Sequence, residues 1–459
     1  MSALNETLAK AIDALIAANG KVAPAQTKTA LDNLTALNES AGVVEKLRAA
    51  LKDKKKAPAG VAACEALLEG LAEQYKGKGE TNTTGSMLLH SITLELFDDL
   101  MQISHEAKFG KTITKTLKAS IKHAGEADRK GALRAYLPKV LSSIESPFQN
   151  KWKIKVVALD LLNDNLLNAC SIAIAHQLEA NFLVRIVRCL VASCKEVRAD
   201  IKNLATELLK QVGKLVRCAE IRQIVEPSIL PCLCNFGNNK LATDTLYLIA
   251  NTTFLSYVDA ASFALIFPIV ERAMKERQQE SRKNGIMITG ACVTLIEDPA
   301  ILSNYLDALI PLLKELALDP SFEIQRESAK AFGALSKNMS QILEDDILPW
   351  ILGKLASNTG DIHVSEVERA GAAHSLAEIL EQVPALMPQV LRSVVLPRCF
   401  AGVPGMKNNV SEQAINANSS DEAEVAAAAK AGEEKDVANA LTGVMNACNA
   451  CHYDLRDAE

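Results

Sequence analysis

The chain has 459 residues, 49% of them hydrophobic but only 4% aromatic, and a formal net charge of −5. A field so close to neutral names no partner by itself, and a composition led by Leu, Ala, Ile and Val is what helix pairs packed by small and branched aliphatics require. One globular core would be too large at this length, whereas a stack of repeats adds units without limit.

The chain opens with MSALNETLAKAIDALIAANG, in which Asn5, Glu6, Lys10 and Asp13 interrupt the apolar residues. That pattern is an amphipathic helix, and neither a signal peptide nor a membrane span. LRAALKDKKKAPAGVAACEALLEGLAEQ predicts a helix, a turn carrying Lys52, Lys54, Lys55 and Lys56, and a second helix starting near Pro58. KGKGETNTTG at 76–85 is a break. Helical patterning resumes over 86–148. There Lys111, Lys115, Lys118 and Lys122 fall on one helix face, and Ile113, Leu117 and Ile121 on another. Residues 1–148 are expected to form an irregular N-terminal helical region.

A period governs 149–398. Basic residues recur at Lys155, Arg198, Lys240, Arg282, Arg326 and Arg369, in steps of 43, 42, 42, 44 and 43. Six residues after each stands Leu161, Leu204, Leu246, Ile288, Phe332 or Ser375, expected to be buried on the second helix of a unit, apart from the polar Ser375. Pro231, Pro268, Pro311, Pro349 and Pro388 form a second ladder out of phase with the first, each after an apolar residue. Two helices per unit of about 40 to 47 residues is the mark of HEAT-type repeats. The expected fold is all-α: a right-handed HEAT/armadillo-type α-solenoid of about nine or ten units, ending in a mostly disordered tail. Asp298-Pro299 and Asp319-Pro320 sit where a helix cap and first turn belong. Between 181 and 224 nine Lys/Arg face four acids, and Lys202, Lys210, Lys214 and Arg217 are expected close together on one helical face. Such faces attract phosphate backbones through counterion release, and they also occur as plain solvated surfaces.

After Arg398 the pattern collapses. Residues 399–459 read as a linker, an acidic stretch with six acids and two lysines over 421–436, and a short terminal helix. No capping repeat closes the array, so more protein is expected to follow. Cys448, Cys451 and His452 spell C-x-x-C-H, the pattern of haem attachment, set against a plain helix end. The other cysteines lie mostly in apolar runs and read as reduced core residues; Cys232-Leu233-Cys234 has the wrong spacing for a thiol pair and reads as core. There is no P-loop, G-x-S-x-G, H-E-x-x-H or dinucleotide G-x-G-x-x-G. No enzyme activity, cofactor, metal or small-molecule substrate is therefore expected, nor any membrane contact. With no export signal, a cytoplasmic location is expected.

Three stretches carry a resemblance: NKWKIKVVALDLL from Asn150, CKEVRADIKNLATELLKQVG from Cys194, and the run from Asn251 to Leu335, with DDILPWILGKLASNTGDIHVSEVERAGAAHSLAEIL following from Asp345. They resemble the HEAT region shared by fungal-type translation elongation factor 3 and the large HEAT-repeat activator of the amino-acid-starvation kinase. Both relatives bind ribosomes, so the resemblance implies a ribosome-binding scaffold in translation elongation or its regulation. Ribosomal RNA and proteins are the implied partners, with a kinase or an ATP-binding-cassette protein beside them. The tandem cassettes of elongation factor 3 are absent from these residues, so no ATPase activity carries over. The contacts expected to serve the ribosome are Lys111, Lys115, Lys118, Lys122, Lys202, Lys210, Lys214 and Arg217. Two other readings stay open: a tubulin-binding HEAT array, which Trp152-Lys153 before a repeat helix also resembles, and a haem or redox protein resting on the C-x-x-C-H pattern.

Overall fold

A computed structural model describes residues 2–17, 41–75, 83–127, 129–146, 152–163, 180–356 and 364–391. Every regular element among them is helical, and none is a strand. The expected tail at 399–459, with its Cys448, Cys451 and His452, lies outside the described residues. The chain divides into two compact units, Met1–Lys354 with Asp361–Val383, and Leu355–Gly360 with Pro384–Glu459. In the second, the described residues include a 3₁₀ turn, Pro384–Leu386, and a short helix, Met387–Val390.

The first unit is a succession of helix pairs. Its second helices are Ala57–Tyr75, Gly110–Ala127, Trp152–Leu161, Ala199–Gly213, Asn239–Ala250, Gln279–Thr294, Phe322–Asn338 and Glu366–Gln382. Each buries its apolar stripe against the neighbouring pairs, since one pair alone leaves a face in water. Leu161, Leu246, Ile288 and Phe332 are buried as the period requires. Leu204 is only half-buried, because the stripe of helix Ala199–Gly213 runs through Ile201, Ala205, Leu208, Leu209 and Val212 and puts Ala205 inward instead. Ser375 is not the expected exception. It is fully buried, and its hydroxyl is satisfied by donating to the Gly371 carbonyl at 2.9 Å.

The basic ladder has no single role. Lys155 Nζ lies 3.0 Å from Glu196 of the next turn, and Arg282 Nη2 3.0 Å from Asp319. Arg282 also donates through Nη1 to the carbonyls of Glu276 and Arg277 in its own turn. Arg198, Lys240 and Arg326 stay exposed. Bonds that join successive second helices and their turns keep the same spacing: Lys283 to Glu323 at 2.7 Å, Gln279 Nε2 to Ser321 Oγ at 2.6 Å, and Gln325 Nε2 to the Val367 carbonyl at 3.1 Å. Asp298 caps its helix as expected, accepting from the Ala300 amide. Asp319 does not cap: Ser321 is the N-cap of helix Phe322–Asn338, and Asp319 serves the ion pair and the turn.

The proline ladder lies on the first helices. Pro268 and Pro311 stand inside Ala260–Met274 and Leu306–Ala317. Pro231 and Pro349 each follow a π-helical turn, Val225–Ile229 and Leu343–Ile347. Proline has no N–H and its ring crowds the carbonyl four residues back, and a wider turn accommodates both. Phe263 and Phe267 each stand 4.6 Å from the ring of buried Tyr305, fastening one first helix to the next.

The loop 251–258 is tied to the preceding repeat by Glu220. Its Oε1 accepts from the amides of Leu255 and Ser256 and from the Ser256 hydroxyl, while Oε2 accepts from the Cys218 thiol. Its own backbone N–H, the Cys218 thiol and the Ser256 and Leu255 donors hold the carboxyl at about 2. A carboxylate depressed on folding contributes stability above its ordinary value near 4.3 and loses it as pH falls toward the folded value. The Leu255 and Ser256 amides are therefore expected to lose exchange protection as pH drops from about 4 to about 2. In Glu220→Ala, which removes the acceptor, their protection is expected to be low already at pH 5 and flat below it; equal profiles in the two proteins would rule out the anchor.

Candidate nucleic-acid interface

Helix Gly110–Ala127 keeps the two faces read from its sequence. Ile113, Leu117 and Ile121 are buried, while Lys111, Lys115 and Lys122 are exposed. Two of its four lysines are committed to neighbouring second helices. Lys115 Nζ lies 2.7 Å from Glu69 and 3.5 Å from Glu65, and the hydrogen bond with Glu69 raises the lysine's pKa. Lys118 lies 2.9 Å from Asp160. These pairs align three successive helices, so a phosphate approaching this face would compete with carboxylates already in place. Lys111 and Lys122 form no ion pair among the described residues.

The second predicted cluster is dispersed. Helix Ala199–Gly213 ends where Gly213 meets the next repeat: a Cβ there would stand 2.9 Å from Val225 Cγ1. Lys214 is the C-cap, and Arg217 belongs to the turn beyond it, so the four cations do not share one helical face. The turn is fixed by Asp259 of the following repeat, whose Oδ2 accepts from the amides of Arg217 and Cys218 at 2.9 and 3.0 Å. Lys214 and Arg217 are exposed on that edge. Lys210 pairs with Glu207 at 2.8 Å, and Lys202 is half-buried.

The structure gathers a different set at the opposite edge, where the turns within each repeat line up. The Arg198 guanidinium lies 4.2 Å from the Trp152 ring, and Lys153 approaches the same ring at 5.9 Å. One repeat on, Lys195 lies 4.7 Å and Arg272 5.2 Å from the Phe236 ring. Arg272 also donates to the Phe236 carbonyl and to Asn239, which fixes the turn before exposed Lys240. An open groove of about 470 Å³ runs past Arg188, Lys195, Phe236, Pro268, Arg272 and Lys275. Lys275 and Arg272 are matched by Glu271 and Glu276. Arg188, Lys195, Arg198, Lys240 and Arg277 are exposed and form no ion pair among the described residues. The ladder at Arg198 and Lys240 carried half of this signal. The other half was aromatic: Trp152 opens its helix and Phe236 stands in a turn, each offering a ring to a cation one repeat away.

Residues 241–346 match the family described as the elongation factor 3/GNC1 HEAT repeat. The repeat region resembles the HEAT region of elongation factor 3 and GCN1. The chain is 31% identical over 264 residues to human "Stalled ribosome sensor GCN1", covering 56% of this chain and 9% of that protein. It is 27% identical over 252 residues to Saccharomyces cerevisiae "Elongation factor 3B", covering 54% of this chain and 22% of the relative. A further relative, 29% identical over 231 residues, is the S. cerevisiae "eIF-2-alpha kinase activator GCN1", of which the chain covers 8%. The chain thus spans less than a quarter of each of these relatives. Among solved structures, the karyopherin Kap121p aligns with a TM-score of 0.28 at 15% identity, covering 89% of this chain and 37% of that one. Among the described residues, no helix is long and apolar enough to cross a membrane.

Proposed function

We propose that this chain is a HEAT-repeat scaffold that associates with ribosomes and serves translation elongation or its regulation, with no catalysis of its own. The observation that carries the reading is the cation-rich turn edge from Lys153 to Arg277, where five exposed cations form no ion pair among the described residues and the rings of Trp152 and Phe236 lie against cations. Ribosomal RNA presents a phosphate backbone to such a ridge, and binding it releases counterions. Similarity to relatives whose names carry ribosome sensing, elongation and kinase activation supports the same reading. Lys111 and Lys122, with Lys214 and Arg217, are secondary contacts in this proposal. Lys115, Lys118, Lys202 and Lys210 are given a smaller share, because three of them hold carboxylates and the fourth is half-buried. A kinase or an ATP-binding-cassette protein is the protein partner such a scaffold would present to the ribosome.

The test is sedimentation with ribosomes over a salt series. Reversing Arg188, Lys195, Arg198 and Lys240 to Glu is expected to weaken binding at least about tenfold and to flatten the salt slope by about three. Helical content should not change, since exposed cations contribute little to stability. Reversing only Lys111 and Lys122 is expected to have the smaller effect. Equal binding by parent and fourfold variant at low salt would rule out the turn edge.

A further inference from the structure

Two first helices, Ala180–Cys194 and Ala260–Met274, pack on each other across a repeat whose own first helix is broken. That middle helix runs as Ala219–Ile224, a π-helical turn and Leu230–Cys234, and Phe236 stands half-buried in the turn beyond its end. The open groove of about 470 Å³ lies here, its apolar lining made by Val191, Ala192, Pro268 and the Phe236 ring. Small-molecule sites usually measure roughly 300–1,000 Å³. Elsewhere the first helices are strapped to their neighbours by ion pairs: Asp98 with Lys139 and Glu145 with Arg185 at 2.7 Å, and Lys314 with Asp346 at 2.6 Å. Across the groove no such pair forms among the described residues, and Arg188 and Lys195 line it with no carboxylate of their own.

We propose that this groove holds one unpaired nucleotide of RNA, its base stacked on Phe236 and its phosphate on Lys195 and Arg188, an inference that rests on the ribosome-associated reading above.

A nucleotide has three kinds of surface, and the groove offers a counterpart to each. The flat base face meets the Phe236 ring. Arg272 lies over that ring at 5.2 Å and is fixed by donating to the Phe236 carbonyl and to Asn239. Lys195 lies over it at 4.7 Å on an exposed side chain that forms no ion pair among the described residues. A base therefore displaces the Lys195 ammonium rather than the guanidinium, and the ammonium moves to the phosphate that the base brings with it. Stacking of this kind accepts any base, because every base has a π-face. The amino edge of the base meets the other wall. There Glu271 and Glu276 hold Lys275 and Arg272 at 2.7 and 3.4 Å, and their carboxylates keep lone pairs that accept amino protons. The two walls thus differ in sign: the lining residues of Ala180–Cys194 and the turn after it are basic, and those of Ala260–Met274 and its turn are mixed. Two carboxylates on one wall disfavour a free polyphosphate or an acidic peptide, which present anions on every side. In a duplex both faces of each base are covered and its edge is paired, so an unpaired nucleotide is the form that fits.

The experiment uses the full chain and labelled probes matched in phosphate number: an unstructured C/A single-stranded RNA of about twelve nucleotides, an abasic ribose-phosphate strand and an RNA duplex. Fluorescence anisotropy should show the single strand bound at least about tenfold tighter than the other two. Phe236→Ala is expected to abolish that preference while leaving the affinity for the abasic strand unchanged, and Phe236→Tyr to keep it. Lys195→Gln is expected to flatten the salt slope of both strands by about 0.7 and to keep the preference. Ultraviolet crosslinking of the single strand to the parent protein should attach a nucleotide to the tryptic peptide 223–240, at Phe236, and this needs no variant to fold. The proposal is overturned if the parent holds all three probes alike, if the crosslink maps outside 223–240, or if a Glu/Leu peptide of equal charge displaces the single strand as well as unlabelled RNA does. A parent that sediments with ribosomes but shows no preference for the single strand overturns the nucleotide site and leaves the ribosomal reading standing. A parent that prefers the single strand but does not sediment with ribosomes does the reverse.

Discussion

Gly371→Ala is expected to dislodge the last described second helix. A methyl group at this position would sit 1.8 Å from the Ala317 carbonyl oxygen and 3.0 Å from its carbon, with Gln325 Cδ at 3.3 Å. That carbonyl closes helix Leu306–Ala317, so the atom in the way is backbone and cannot swing aside. Helix Glu366–Gln382 would have to move by more than an ångström. Its contacts with Phe322–Asn338 would move with it, including the Gln325 bond to the Val367 carbonyl. Overpacking of this kind costs about 3 kcal/mol or more, against the roughly 1 kcal/mol that replacing a helical glycine by alanine ordinarily contributes. Gly353 supplies the control, because nothing lies within 4 Å of a Cβ built there. Urea denaturation followed by circular dichroism should show Gly371→Ala shifted to lower urea and Gly353→Ala unchanged or slightly higher. Amide exchange should localise the loss to 364–383. A Gly371→Ala protein with the parent's midpoint and exchange pattern would refute this close approach.

Asp319→Ala is expected to destabilise the array by about 3 kcal/mol, because it leaves the Arg282 guanidinium largely buried without its counter-charge. The side chains of Arg282 and Asp319 keep only 19% and 13% of their surface in water. Arg282 Nε already has no acceptor, and two of its remaining bonds go to the Glu276 and Arg277 carbonyls in the turn before its helix. Asp319 also accepts from the Ser321 amide at 2.9 Å, so its loss loosens the start of helix Phe322–Asn338 as well. Asp319→Asn should cost less, since a carbonyl oxygen still serves that amide. The double variant Arg282→Met with Asp319→Leu should recover much of the deficit, because removing both partners leaves no stranded charge. Denaturation midpoints of the parent, Arg282→Met, Asp319→Leu and the double variant form the cycle. An additive double variant would mean that the two residues act separately.

The repeat architecture was legible because the physics behind it is local and periodic. A helix pair must show an apolar stripe, and stacking must repeat it; hence Leu161, Leu246, Ile288 and Phe332 are buried where the period places them. The capping of Asp298 was legible for the same reason, since a cap is decided within three residues. The resemblance over the array rested on order and spacing, which one chain displays directly.

What the lysines do was not legible, because it depends on residues about 40 positions away. Helical spacing puts Lys115 and Lys118 on one face, but only packing brings Glu65, Glu69 and Asp160 against them and turns a basic stripe into struts between helices. Ser375 looked like a fault in the period until the Gly371 carbonyl satisfied its hydroxyl. The sequence by itself determined the helices, their pairing and the length of the unit, since hydrophobic periodicity and turn chemistry act over a few residues. Tertiary structure alone decided which charges are spent within the stack and which face water, because an ion pair between repeats forms only after those repeats have closed on each other.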